Sequence, residues 1–108
     1  MKHAARIAKV LEEFQKLDPT ISLTTVHLFM VVVAFPGRTV RYYCDYTGQS
    51  QAAVSRNMRA LADRHRLGRD GLGLLSAEPD PSEVRRVLLH LTARGKRLAQ
   101  TLEKIMGE

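Results

Sequence analysis

A mainly α-helical fold carrying one small β-hairpin is what this sequence predicts, on three observations. Apolar residues recur at three- and four-residue spacing towards both ends of the chain. A short helical pattern breaks at Gly48 and resumes in an arginine-bearing helix. Two apolar runs flank a proline-containing tip over residues 78 to 84. The 108 residues suit one domain with a core of its own, and 44% apolar with 26% charged residues is the composition of a folded rather than a disordered or fibrous chain.

Each element has its own justification. Ala4, Ile7, Val10, Leu11, Phe14 and Leu17 mark one face of a first helix over residues 2 to 17, stopped by Asp18-Pro19. Ser22 and Thr24 offer N-caps to a second helix over 23 to 35, which Pro36-Gly37 closes. Its run from Met30 to Phe35 is rich in β-branched residues, yet length and end signals favour helix. Being apolar nearly all round, it belongs at the centre. Thr39 and Val40 supply a short strand before a third helix over 41 to 47; Gly48 makes a turn, and Ser50 caps a fourth helix over 50 to 65. At about 100° per residue, Val54, Met58 and Leu61 face inward while Ala52, Ser55, Arg56, Arg59 and Asp63 face outward.

After a glycine-rich link, Leu72 to Ala77 and Arg85 to Leu91 read as strands, and the two prolines between them deny regular pairing to the tip. Thr92 caps a last helix over 93 to 106, with Leu98, Leu102 and Ile105 on one stripe. Gly95 inside that helix costs about 1 kcal/mol relative to alanine, which points to a neighbouring backbone packed closely against it. Taken in order, the elements make a winged helix-turn-helix, residues 1–108 forming a single domain.

Charge narrows the function. Seventeen Lys and Arg against eleven acids leave +6, a balance that favours a polyanionic partner. From Gln49 to Arg69 five arginines, Arg56, Arg59, Arg64, Arg66 and Arg69, face the single acid Asp63. The lone Cys44 excludes an internal disulfide and fits a reducing compartment. The apolar run Leu28 to Phe35 is far short of the roughly 20 residues that span a bilayer, so a cytoplasmic location and no membrane contact are expected.

Enzymatic chemistry is not indicated. His3, His27, His65 and His90 lie far apart, with no partner spacing for a metal cage or an acid–base pair. The stretch Gly68 to Gly73 lacks the Gly-Lys-Ser/Thr ending of a phosphate loop. No catalytic residue, metal or cofactor is expected.

The fourth helix has the chemistry of a DNA reader. Gln51 can bond an adenine edge, Ala52 can touch a thymine methyl, and Arg56 or Arg59 can take guanine O6 and N7. Gln49, Ser50 and Ser55 complete the candidate set on this helix and its entry. Tyr42, Tyr43 and Tyr46 could donate hydroxyls to phosphates or serve as packing. Arg85 and Arg86, on the second strand, can be charges that protect a sheet edge.

Three stretches resemble the MarR family of bacterial transcriptional regulators. Ala53-Val-Ser-Arg-Asn-Met-Arg-Ala-Leu61 is similar to that family's recognition helix, with Ser55-Arg56 at the DNA-facing place. Asp80-Pro-Ser-Glu-Val-Arg-Arg-Val-Leu-Leu-His-Leu-Thr92 is similar to its wing, and Leu91-Thr-Ala-Arg-Gly-Lys-Arg-Leu98 to the entry of the helix behind it. The link from Arg64 to Leu75 is longer and richer in glycine than the family pattern, and the chain is shorter.

The resemblance implies that Arg85 enters a minor groove, with Glu83 pairing a cation to hold the wing and Arg86 on phosphate. It also implies a homodimer built on residues 1–17 and 93–108, reading a pseudo-palindrome in double-stranded DNA as a repressor; uncovered apolar stripes on both terminal helices suit that dimer. A small-molecule effector has no residue signature. The competing expectation is a winged helix used for protein interaction or assembly, as in a phage or plasmid accessory factor, with only non-specific DNA affinity.

Overall fold

The computed structural model describes residues 1–62 and 71–107. Asp63, Arg64, Arg66 and Arg69, and the expected end of the fourth helix at 65, lie outside the described residues. Among the described residues five helices and three strands follow in the order α1 (Lys2–Leu17), α2 (Leu23–Ala34), β1 (Arg38–Thr39), α3 (Val40–Thr47), α4 (Gln51–Leu61), β2 (Leu75–Asp80), β3 (Glu83–Leu91) and α5 (Ala93–Met106). The strands form one antiparallel sheet in the order β1-β3-β2.

The helix starts obey their side-chain signals. Ser22, Thr39, Ser50 and Thr92 each accept a hydrogen bond from the backbone N–H three residues on, satisfying a donor that the helix itself leaves free. Gly48 ends α3 in the left-handed conformation, at φ 74°, which only glycine adopts without strain.

Burial centres on α2, where Val26, Leu28, Phe29, Val31 and Val32 are all buried. Around them gather Phe14 of α1, Tyr43 of α3, Val54 and Leu61 of α4, Leu89 of β3 and Leu102 of α5. Tyr43 has no exposed surface; its hydroxyl donates to the Phe35 carbonyl at 2.7 Å and accepts from the Arg38 N–H at 3.2 Å. Burial raises its phenol above the ordinary range. Of the three tyrosines considered for phosphate, Tyr43 is thus committed to the core.

Several boundaries differ from the sequence pattern: the short strand is Arg38–Thr39 with Val40 already opening α3, and backbone hydrogen bonds move the ends of α4, β2 and β3. The described helix α4 ends at Leu61, with Ala62 extended. The chain then returns as a strap in which the N–H groups of Leu72, Gly73 and Leu74 donate to the carbonyls of Ala60, Ala62 and Leu61 at 3.0, 3.1 and 2.7 Å. Residues 72 to 74 therefore cap the end of α4 and cannot pair with β3, so β2 starts at Leu75 rather than Leu72.

At its other end the ladder runs on to the pair Asp80 and Glu83, through a region expected to be unpaired. Pro79 is accommodated because β2 is an edge strand, where an absent N–H can be one that faces solvent.

The wing tip is held by Asp80, whose carboxylate accepts from the Ser82 N–H at 2.9 Å and from the Ser82 hydroxyl at 2.8 Å. The backbone bond first, then the hydroxyl, holds the Asp80 carboxyl below the usual range. A depressed carboxyl stabilises the fold above its unfolded value, and that contribution is lost as pH falls through the folded one. Titration from pH 6 downwards should therefore move the Ser82 amide resonance with a midpoint below the ordinary carboxylate value. Asp80→Asn should abolish the step, whereas a Ser82 shift centred at or above the ordinary carboxylate value would contradict the assignment.

Candidate nucleic-acid interface

Helix α4 stands over the core on Val54 and Leu61, both fully buried, with Met58 half-buried beside them. That anchoring turns Gln51, Ala52 and Arg56 out to solvent and leaves Ser55 and Arg59 half-exposed. The inward and outward stripes expected from helical periodicity are those observed among the described residues.

The wing rises beside this helix and encloses a groove of about 780 Å³ with it. Gln51, Ser55 and Met58 line one wall, Ala77, Arg85, Arg86 and Val87 the other, and Thr39, Val40, Arg41, Tyr42 and Asp45 of β1 and α3 form the floor. Three arginines against one acid give the groove a positive lining. Of the residues singled out in the sequence, the fold brings Gln51, Ser55, Arg85 and Arg86 together. Ala52, Arg56 and Arg59 belong to the same helix without lining the groove. Arg85 and Arg86 project from adjacent positions of β3, and the field of Arg86 also reaches Asp80 at the wing tip.

Gln49 and Ser50 are occupied within the protein. The Ser50 hydroxyl caps α4 at Ala53, 3.1 Å away. The Gln49 amide donates to the Thr24 carbonyl at 3.1 Å and accepts from Asn57 at 2.9 Å. Both side chains are thus held at the start of α4 by bonds within the protein.

Two residues escaped the sequence analysis. Arg41 opens the pattern of the third helix but received no role; its place one residue beyond the start of α3 puts it on the groove floor. Asn57 is 9% exposed. The signal for its burial was present, since it lies three residues after Val54 and four before Leu61, on the apolar stripe.

Tyr42, Tyr46 and Phe35 form an aromatic cluster, with Phe35 and Tyr46 centroids 5.3 Å apart and the Arg38 guanidinium 5.5 Å above Tyr42. Tyr46 remains 55% exposed, so its hydroxyl is accessible in a way that Tyr43's is not. Among the described residues no helix is long and apolar enough to cross a membrane.

No family model matches the sequence, nor does any curated protein. Solved structures do match. Rv1404 of Mycobacterium tuberculosis superposes with a TM-score of 0.70 over 93% of this chain at 17% identity. MepR of S. aureus, solved in complex with DNA, gives 0.72 over 96% of this chain and 75% of its own at 20% identity. A MarR transcriptional regulator of Methanosarcina mazei gives 0.66 over 96% and 73% at 19% identity.

The chain has the MarR fold. Its five helices and small antiparallel sheet match those winged-helix neighbours over nearly the whole chain, with the β2–β3 hairpin in the place of a wing. The chain spans 63% of the length of the Rv1404 chain.

Proposed function

We propose that this chain is a single-domain transcriptional regulator of the cytoplasm that binds double-stranded DNA sequence-specifically, as a homodimeric repressor on a pseudo-palindromic site. The observation that carries the reading is the groove, where the exposed face of α4 and the arginines of the wing look onto one positively lined space. A helix of this kind enters a major groove while a wing arginine meets the narrow, strongly negative minor groove beside it. The MarR-like fold, which MepR has in its complex with DNA, supports the same reading.

Apolar residues left uncovered on α1 and α5 support the dimer. Ile7 is 61% exposed, Leu11 38% and Met106 46%, and Ile7, Val10 and Met106 line a groove of about 320 Å³ between the two helices. Pairing of such faces across a two-fold axis sets two reading helices about 34–36 Å apart, one turn of DNA.

Selection from random duplexes at about 0.15 M salt tests the function, with affinity falling by about 0.9 log units per log unit of salt for each phosphate neutralised. An enriched motif with dyad symmetry is expected. Enrichment without symmetry refutes the dimeric arrangement. No enrichment at all leaves the protein-interaction module as the better account. Arg56→Ala should weaken the selected duplex about ten- to hundredfold and relax preference at one base pair, the loss of one bidentate contact. Equal losses on every sequence would make Arg56 a phosphate contact.

A further inference from the structure

Beneath the reading helix lies a polar network that its DNA-facing residues do not share. The Thr25 hydroxyl donates to Asn57 Oδ1 at 3.0 Å, Asn57 Nδ2 donates to Gln49 Oε1 at 2.9 Å, and Gln49 Nε2 donates to the Thr24 carbonyl at 3.1 Å. Ser22, the cap of α2, lies 2.7 Å from the same Thr25 hydroxyl. The circuit is closed: it begins and ends on the first turn of α2, passing through α4 and the turn before it. Thr25 and Asn57 are both buried, and among the described residues no buried side-chain polar atom lacks a partner.

Apolar contacts and hydrogen bonds constrain a helix differently. Val54, Met58 and Leu61 seat α4 on the core through non-directional burial, which tolerates small rotations and tilts. Hydrogen bonds weaken steeply away from linear geometry, so a buried circuit selects one orientation. The lever matters, because Gln51 lies six residues, or about 9 Å, along the helix from Asn57. A tilt of about 10° at Asn57 displaces that end by roughly 1.5 Å, three times the range of good hydrogen-bond lengths. Base readout depends on that end of the helix; phosphate attraction does not need such accuracy.

We propose that Asn57 is a positioning residue that fixes the pitch of α4 through Thr25 and Gln49, and so determines sequence specificity without touching DNA. The proposal rests on the DNA-binding function above and adds a residue outside the reading face. It also removes Gln49 from the base readers, its amide being needed to close the circuit.

The test separates positioning from stability. Asn57→Leu keeps the branched shape, and Thr25→Val removes only the hydroxyl at the far side of the circuit, so one variant remains should the other fail to fold. Each is compared with the unchanged chain at a temperature where circular dichroism finds it fully folded. The readout is the ratio of affinities for the selected duplex and a scrambled duplex at the same salt.

The expected result is a fall of about tenfold or more in that ratio, the loss of one good base contact, with affinity for the scrambled duplex unchanged. A merely structural role would lower both affinities with the folded fraction and leave the ratio alone. An unchanged ratio in a folded variant overturns the positioning role and leaves DNA recognition standing. An unmutated chain that prefers no duplex overturns the parent function, and the positioning role with it.

Discussion

Replacing Phe14 with alanine is expected to remove about 4 kcal/mol of stability, the upper range for an aromatic side chain deleted from a closed core. Phe14 has no exposed surface, and its ring meets Phe29 edge to face, with centroids 5.6 Å apart and planes at 76°. That geometry adds about 1 kcal/mol to the burial itself. Phe14 is also the one buried residue of α1, whose other apolar residues are partly or largely open. Losing it therefore both opens a cavity against α2 and releases the helix proposed to pair between protomers. Urea unfolding at several protein concentrations measures the loss, with the concentration dependence reporting how much of it belongs to assembly. A loss below about 1 kcal/mol would mean that α1 is not anchored through this ring.

The second large effect is expected from the smallest change, Gly95→Ala. Elsewhere in a helix this substitution gains about 1 kcal/mol. Here the new Cβ would lie 2.1 Å from the Leu74 carbonyl oxygen and 3.1 Å from its carbon. The obstacle is backbone with little freedom to retreat. The Leu74 N–H bonds Leu61 at 2.7 Å, and its carbonyl accepts the Thr92 N–H at 3.1 Å. Either α5 lifts or the strap is pushed from α4, and the expected net cost is about 3 kcal/mol, the upper end for overpacking. Thermal unfolding decides the sign. A stabilised Gly95→Ala protein would show that the close approach is not as drawn.

What the sequence reveals and what it hides divide along a physical line. Helix faces were readable because burial follows a local period, so the stripes of α1, α4 and α5 and the caps at Ser22, Ser50 and Thr92 could be placed from neighbouring residues alone. The end of α4 and the start of β2 could not. They are set by hydrogen bonds from Leu72, Gly73 and Leu74 to Ala60, Ala62 and Leu61, 11 to 13 positions earlier, and no local pattern records a donor's distant acceptor.

The site divides in the same way. Gln51 could be named from chemistry and Arg85 from the family resemblance, while the groove that joins them depends on how the wing stands against α4. Gln49 stood in the candidate set by its place at the entry of α4, and only the fold shows that Thr24 and Asn57 hold its amide. Asn57 itself was passed over because a polar residue on an apolar stripe carries no sign of its partner.

The strap from Leu72 to Leu74 has one more consequence, for how such a chain can diverge. It ties the end of α4 to the start of α5 through main-chain groups, together with the Thr92 hydroxyl donating to the Gly73 carbonyl at 2.6 Å. A joint built from peptide groups is indifferent to nearly every substitution, because all residues except proline carry the same donor and acceptor. Mutation can rewrite most side chains around it while the angle between α4 and α5 persists. The constraint then falls on the few positions that touch the joint, Gly95 against the Leu74 carbonyl first among them.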